Sequence, residues 1–309
     1  MTSPAIPKQS GPAPAQSAAR VADAPGRKLA FLSTALLCAL CAAIFGPILY
    51  YLVQHWNLVP DYSHGFLIAP LALYFAWERR RLLARAPVAP SWWGVLPLAL
   101  GALSLAIGRL GVELMSMRVA FVLTLQGIVL LMLGRHVFRV LAFPLLFLFL
   151  MVPLPQSLVN VITFPLQLIA TDLAVEGLYQ LGIPALREGN IIHLAHHPLM
   201  VAEACSGLRS VMALGTLGVV FAYFFRKSSL ERLIIVFSTL PIAILVNAFR
   251  VGLTGIATHR WGPQAADGWI HMTEGMFTFL LAFGLLLVEA LLLSQLVAFA
   301  RRRRARAAR

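Results

Sequence analysis

The sequence predicts an all-α, polytopic membrane protein with about eight transmembrane helices and both termini in the cytoplasm. Two observations carry this prediction. Of the 309 residues, 60% are hydrophobic and only 12% are charged, a composition too apolar for an ordinary soluble domain. Apolar runs that could cross a hydrocarbon core of about 30 Å recur along the chain, and most basic residues lie between them.

Eight apolar runs are candidate transmembrane helices. The second, fourth and fifth are short, at about 16 or 17 residues, which is near the lower limit for a helix that crosses a bilayer. The approximate boundaries are 29–53, 62–78, 92–110, 118–133, 137–153, 206–225, 231–253 and 272–299. Residues 1–28 are predicted to be a disordered cytoplasmic tail, residues 29–299 the membrane domain, and residues 300–309 a basic cytoplasmic tail.

The net charge of +13 indicates membrane topology rather than nucleic-acid binding. Lysine and arginine resist translocation, so they accumulate in cytoplasmic segments. With the amino terminus inside, all but six of the 25 basic residues fall in cytoplasmic segments. The lipid bilayer is therefore the expected partner, and no nucleic acid is. The six outside are Arg109, Arg118, Arg187, Arg209, Arg250 and Arg260.

The longest predicted outside segment spans residues 154–205. Its first part, 158–181, is apolar with polar residues mostly on one helical side, so it is predicted to be an interfacial helix. A ninth span there would move everything after it to the other side, and the basic carboxyl tail argues against that. Two β-prone stretches around His196, His197 and Pro198 predict a small hairpin before the sixth span.

Neither a metal nor another cofactor is predicted. His193, His196 and His197 are close in sequence, but no cysteine or carboxylate is placed to complete a metal site. Cys38 and Cys41 lie three residues apart in the first apolar run, where packing is favoured over a redox or metal role.

Three polar residues at the predicted outer ends of spans six, seven and eight are the candidate catalytic residues. Cys205 begins span six, Arg250 lies near the outer end of span seven, and His271 begins span eight. A charged residue near mid-membrane costs about 2.5–3.5 kcal/mol, so its presence indicates function by default. Each also has a simpler explanation: a structural cysteine, an arginine that reaches the headgroups, and an ordinary interfacial histidine.

Together these three side chains have the chemistry of acyl transfer. The start of a helix lowers the pKa of a thiol, and Ser206 and Gly207 suit a helix start. An imidazole can deprotonate the thiol and then protonate a leaving amine, while a guanidinium stabilises an oxyanion. The supporting candidates are Glu203, an outside carboxylate, Asn247, on the face of Arg250, and Glu274, which could orient His271. Two alternatives stay open at this point, His64 as the base and Arg209 as the oxyanion donor.

The motifs "EACSGLRS", "NAFRVGLTG" and "HMTEGMF", with "DYSHGFLIAPLALYFAWERR" upstream, resemble the exosortase/archaeosortase family of membrane cysteine transpeptidases. The resemblance covers about residues 30–295 and is greatest to the bacterial exosortases. It implies that Cys205 is the nucleophile, with Arg250 and His271 as the other catalytic residues. The order of the family's motifs favours these two over Arg209 and His64.

The resemblance also implies a substrate and a location. Exosortases are expected to act in the bacterial inner membrane, with the active site on the periplasmic side. Their substrates are exported proteins with a carboxyl-terminal signal of a Pro-Glu-Pro-like (PEP-CTERM) tripeptide, a transmembrane helix and a basic cluster. Cleavage would pass through a thioester in bacteria that make extracellular polysaccharide, and any accessory domain would be a separately encoded protein.

Two other classes of protein remain open from the residues alone. A transporter or scaffold of a polysaccharide export system would carry charged residues near the middle of several spans, whereas here the polar residues gather at the outer edge. A lipid-type acyltransferase would also place a nucleophile at a membrane interface, and acyl labelling of Cys205 would identify it.

Overall fold

The computed structural model describes residues 24–194, 198–201, 208–225, 228–262 and 269–307. This described part of the chain is 85% helical and contains one small β-sheet. The α-helices are α1 (Ala24–Ile44), α2 (Gly46–Leu58), α3 (Gly65–Glu78), α4 (Arg80–Arg85), α5 (Val95–Leu110), α6 (Leu114–Phe147), α7 (Gln156–Gln180), α8 (Leu208–Phe225), α9 (Ser229–Trp261) and α10 (Trp269–Ala307). Short 3₁₀ turns lie at Pro60–Tyr62, Trp92–Gly94 and Leu148–Met151.

Six helical segments in the described ranges are long and apolar enough to cross a membrane. A seventh apolar segment, Val211–Phe224, is shorter. This confirms an apolar, mostly helical membrane protein, since length and composition are what a bilayer requires of a spanning helix. The six are Gly26–Ile44, Trp92–Leu110, Leu114–Met151, Gln156–Gln180, Ser229–Trp261 and Gly275–Phe299.

The first predicted span, 29–53, is two helices joined at Phe45. Pro47 has no amide hydrogen and so cannot continue the hydrogen-bond ladder of α1. The backbone bonds of Phe45 to Cys41 and Leu49, both 2.9 Å, keep the two helices close to one path. Helix α1 begins at Ala24, inside the segment predicted to be a disordered tail.

Helix α6 reverses direction at Gly134. This residue has φ 81° and ψ −178°, a conformation open almost only to glycine. The Gln126 side chain donates to the carbonyl of Leu145 at 3.4 Å, although 19 residues of a straight helix would separate them by about 28 Å. The runs predicted at 118–133 and 137–153 therefore form two antiparallel arms.

The helices have two ends, which we call the basic end and the Tyr62 end. At the basic end, Arg79 donates to the Tyr223 hydroxyl (2.8 Å) and the Val140 carbonyl (2.7 Å), which joins α3, α6 and α8. At the Tyr62 end, Trp56 Nε1 donates to the Met151 carbonyl (3.0 Å) and the Tyr62 hydroxyl to the Leu154 carbonyl (3.4 Å). These bonds align the ends of segments that are far apart in sequence.

Helix α7 runs beside α9 in the same direction. Thr163 and Gln167, early in α7, line a small cavity with Ala243 and Asn247 of α9. Later in α7, Leu178 lies against Gly255 of α9. Both helices therefore run away from the bundle past the Tyr62 end.

The helix predicted at 158–181 is present as α7, but its polar residues are arranged differently from the prediction. Helix α7 has the length and apolar composition of a membrane-crossing helix. Thr163, Gln167 and Thr171 are buried, whereas Asp172 and Glu176 are exposed. The polar residues do not share one solvent-facing side because several of them pack inside the protein.

A three-stranded antiparallel sheet covers the outer parts of α7 and α9. Its strands are β1 (Ala185–Glu188), β2 (Ile191–Leu194) and β3 (Pro198–Met200), in the order β1-β2-β3. Strands β2 and β3 form the predicted hairpin, and β1 extends it through a turn with Gly189 at φ 62°. Buried Ile192, Leu178 and Val251 join the sheet to both helices.

Gly134→Ala should destabilise the protein. The positive φ alone costs about 1–3 kcal/mol for a residue with a side chain, and the new Cβ would collide with the Ala89 carbonyl. The apparent melting temperature of the detergent-solubilised protein, followed by tryptophan fluorescence, should fall. The matched control is Gly177→Ala in α7, where nothing lies within 4 Å of the added Cβ. Equal melting temperatures for the two variants would contradict the reversal at Gly134.

Candidate active site

Arg250 reaches from α9 to the start of α10 at the Tyr62 end. A Cβ built on Gly275 would lie 3.8 Å from Arg250 Nη2, so the guanidinium lies against that part of α10. His271 precedes Gly275 by four residues in the same helix and therefore occupies the same face one turn earlier. The side chains of His271 and Glu274 lie outside the described structure. The structure thus brings Arg250 to the helical face that carries His271.

Asn247 is buried one helical turn before Arg250. Its side chain is only 6% exposed, and its Oδ1 has no hydrogen-bond partner in the described structure. A buried amide oxygen without a donor costs about 1–3 kcal/mol. Among the described residues, therefore, a buried amide oxygen without a partner lies one turn from Arg250.

The predicted nucleophile precedes α8. Cys205, Glu203, Ser206 and Gly207 lie outside the described residues. Helix α8 begins at Leu208, and Arg209 lies in its first turn with a side chain that is not described. Helix α8 packs against the Pro60–Tyr62 turn.

His64 lies in the turn that leads into α3, next to the contact between α8 and the Pro60–Tyr62 turn. Its Nδ1 is 3.2 Å from the carbonyl oxygen of Asp61, and Tyr62 is buried beside it. Burial lowers the pKa of His64, and hydrogen bonds with the Leu150 and Asp61 backbone offset this only in part. The imidazole is therefore mainly uncharged at neutral pH, the form a base requires.

Arg118 and His55 are polar residues at the Tyr62 end. Neither was among the site residues predicted from the sequence. Arg118, in the first arm of α6, is 4% exposed, and its Nε has no partner among the described residues. The His55 ring centroid is 5.2 Å from that of Tyr62. In the sequence, Arg118 is visible only as an arginine beside an apolar run. The residues that surround it come from segments far away in sequence, so that pattern alone does not predict its burial.

The remaining sequence candidates do not form a site in the described structure. His193 Nε2 is 3.0 Å from Glu188 Oε2 across the β1–β2 pair, and both side chains are exposed. No group of three metal-ligating side chains occurs in the described ranges, which exclude His196 and His197. Cys41 is buried and Cys38 is half-buried among apolar side chains, as the packing interpretation predicted.

Comparison with protein families identifies the class of this multi-pass membrane protein. The family model described as transmembrane exosortase matches residues 55–288. That range contains the Tyr62 turn, α8, α9 and the start of α10, and it covers most of the chain. The chain therefore belongs to the transmembrane exosortase family, as its motifs predicted. Comparisons with curated proteins and with solved structures gave no match.

In a titration followed by histidine NMR, His64 should have a pKa below the ordinary value of about 6.5. The reason is that its burial disfavours the imidazolium ion, so protonation needs a lower pH than in water. A His64→Gln variant would assign the resonance by its loss. A midpoint at or above 6.5 would show that the imidazole is not buried as described.

Proposed function

We propose that this protein is a membrane cysteine transpeptidase that cleaves the carboxyl-terminal sorting signal of exported proteins. Cys205 is the nucleophile, and Arg250 and His271 act with it. The observation that carries the proposal is the contact of Arg250 with the His271-bearing face of α10 in a chain of the exosortase family. The packing of α8 against the Pro60–Tyr62 turn brings the helix that follows Cys205 to the same end.

The proposed chemistry needs only these side chains. His271 takes the thiol proton, and Cys205 Sγ attacks the carbonyl carbon of the scissile peptide bond. Arg250 stabilises the oxyanion of the tetrahedral intermediate. When the C–N bond breaks, His271 returns the proton to the leaving amine and a thioester remains on Cys205. An acceptor amine or water then attacks the thioester carbonyl, which frees the thiol.

Two neighbours complete the proposed site. Asn247 would donate from its amide nitrogen toward the oxyanion region, since its buried side chain precedes Arg250 by one turn. Glu274, three residues after His271, would hold the imidazole in its working orientation. Glu203, Ser206 and Gly207 would shape the start of α8 around the thiol.

The topology we propose has eight passes, cytoplasmic termini and a periplasmic site in the bacterial inner membrane. Three features support it. The segments α1–α2, α3, α5, the two arms of α6, α8, α9 and α10 alternate in direction between the basic end and the Tyr62 end. Helix α7 runs in the same direction as α9, so it adds no return pass. Basic residues gather at the basic end of the bundle, which favours placing that end in the cytoplasm and the Tyr62 end in the periplasm.

The position of the proposed site at the outer interface supports an exported, membrane-tethered substrate. A signal held by its own transmembrane helix presents its cleavage point at the outer interface, the level of Arg250 in the proposed topology. The cleaved proteins would carry a PEP-CTERM-type signal and serve extracellular polysaccharide production. A transporter or scaffold without enzymatic activity is the alternative, and a lipid-type acyltransferase is a third possibility.

Cys205→Ala should abolish processing of a reporter that carries the sorting signal, while the variant still accumulates in the membrane. Arg250→Ala and His271→Ala should each reduce processing at least 100-fold, because groups that act as a unit lose most activity singly. Immunoblotting of the reporter separates cleaved from uncleaved forms. Cys38→Ala is the matched control and should process normally, since that thiol only packs among apolar side chains. Normal processing by Cys205→Ala would exclude the proposal.

A membrane-impermeant maleimide added to intact spheroplasts should label Cys205 in a Cys38→Ala/Cys41→Ala background. The proposed topology places this thiol on the periplasmic side, where the reagent reaches it without crossing the membrane. Labelling is read from the mass of the tagged protein, and Cys205→Ser provides the unlabelled control. Labelling that appears only after the membrane is permeabilised would reverse the assigned orientation.

A further inference from the structure

A second polar site lies at the basic end, far from Arg250. It is an open cavity of about 550 Å³ where α3, α4, the second arm of α6, α8 and α9 meet. Three arginines and one carboxylate provide its charged groups, and apolar and aromatic side chains form the rest. The lining residues are Glu78, Arg79, Leu82, Arg139, Val140, Tyr223, Phe224 and Arg232.

Arg79 is held rigidly in this cavity. Its Nε donates to the Tyr223 hydroxyl at 2.8 Å and its Nη1 to the Val140 carbonyl at 2.7 Å. Its guanidinium carbon also lies 5.1 Å from the centroid of the Tyr223 ring. A guanidinium carries five N–H donors, so several remain for another acceptor. Fixing the side chain in advance removes much of the entropy cost of binding an anion.

The cavity has an excess of positive charge. Glu78 is its only carboxylate, and that group accepts the Tyr223 hydroxyl at 3.0 Å. Arg79, Arg139 and Arg232 line the same space, and Arg139 is exposed with no hydrogen bond in the described structure. Glu231, which precedes Arg232 in α9, does not line the cavity. With Arg79 and Arg139 both lining the space, the cavity favours a negatively charged ligand.

Apolar side chains beside the arginines indicate the kind of anion. Leu82 and Phe224 are 58% and 42% exposed and lie at the rim of the cavity. In a membrane protein such side chains face lipid, so a ligand with a phosphate and an acyl chain would satisfy both parts of the surface. Basic pockets between transmembrane helices bind the headgroups of anionic lipids in this way.

We propose that this cavity binds the phosphate of an anionic phospholipid. Arg79 and Arg139 contact the phosphate oxygens, and the acyl chains leave along Leu82 and Phe224. The lipid thereby joins the ends of these helices, of which α3, α6 and α8 are already linked through Arg79, Tyr223 and Val140. This site is independent of the proposed transpeptidase activity.

Native mass spectrometry of the full-length protein in detergent tests the proposal. With phosphatidylglycerol added over a phosphatidylcholine background, the wild type should retain phosphatidylglycerol preferentially. Arg139→Gln should weaken that binding about fivefold, the factor expected for one basic residue at a membrane surface. Arg139→Lys keeps the charge and should retain most of the binding.

The matched control is Arg135→Gln, four residues earlier at the same end. Arg135 is also exposed, but its guanidinium lies 4.9 Å from the Trp93 ring centroid and it does not line the cavity. Its loss should leave binding unchanged, with both glutamine variants melting at the wild-type temperature. Equal weakening by both variants, or no preference for phosphatidylglycerol, would overturn the proposal. Displacement of the lipid by millimolar inorganic phosphate would assign the cavity to free phosphate instead.

Discussion

The reversal of the chain at Gly134 decides which end of the protein every later residue reaches. As one straight helix, the 34 residues of α6 would extend about 51 Å and carry Met151 far from Trp56. Instead the second arm returns, and the carbonyls of Met151 and Leu154 accept hydrogen bonds from Trp56 and Tyr62. A glycine is required because the backbone there has a positive φ and passes close to Ala89. One residue therefore sets the direction of all the segments that follow.

The course of α7 preserves that arrangement. Because α7 runs with α9 rather than back across the bundle, the chain returns through the sheet to begin α8 at the Tyr62 end. Helices α9 and α10 then meet there through Arg250 and Gly275, while Ser238 donates to Glu289 at 2.6 Å farther along the same pair. The polar groups of the candidate site thus come from segments about 200 residues apart, held by packing that is almost entirely apolar.

Composition and charge were enough to predict the helical membrane fold. A helix that crosses a bilayer must be long and apolar, and basic residues mark the loops that connect such helices. The same reasoning predicted that Arg250 and His271 lie at one level, and in the structure Arg250 lies against α10 four residues after His271. It did not predict that Arg118 would be buried, or that His55 and Tyr62 from different segments would lie close together. It also placed the polar residues of α7 mostly on one helical side at the interface, since sequence spacing does not reveal that Thr163 lies against α9 or that Thr171 is buried. Local patterns predict elements, whereas contacts between distant segments decide which polar groups are buried.

The most direct test of the central claim is the mass of the enzyme during turnover. Purified full-length protein would be incubated with a membrane-tethered substrate, quenched in acid and measured intact. The proposed chemistry predicts an added mass equal to the amino-terminal part of the substrate, attached at Cys205 and released by hydroxylamine, as a thioester requires. Cleavage that proceeds in Cys205→Ala, or that leaves an acyl adduct on another residue, would contradict it.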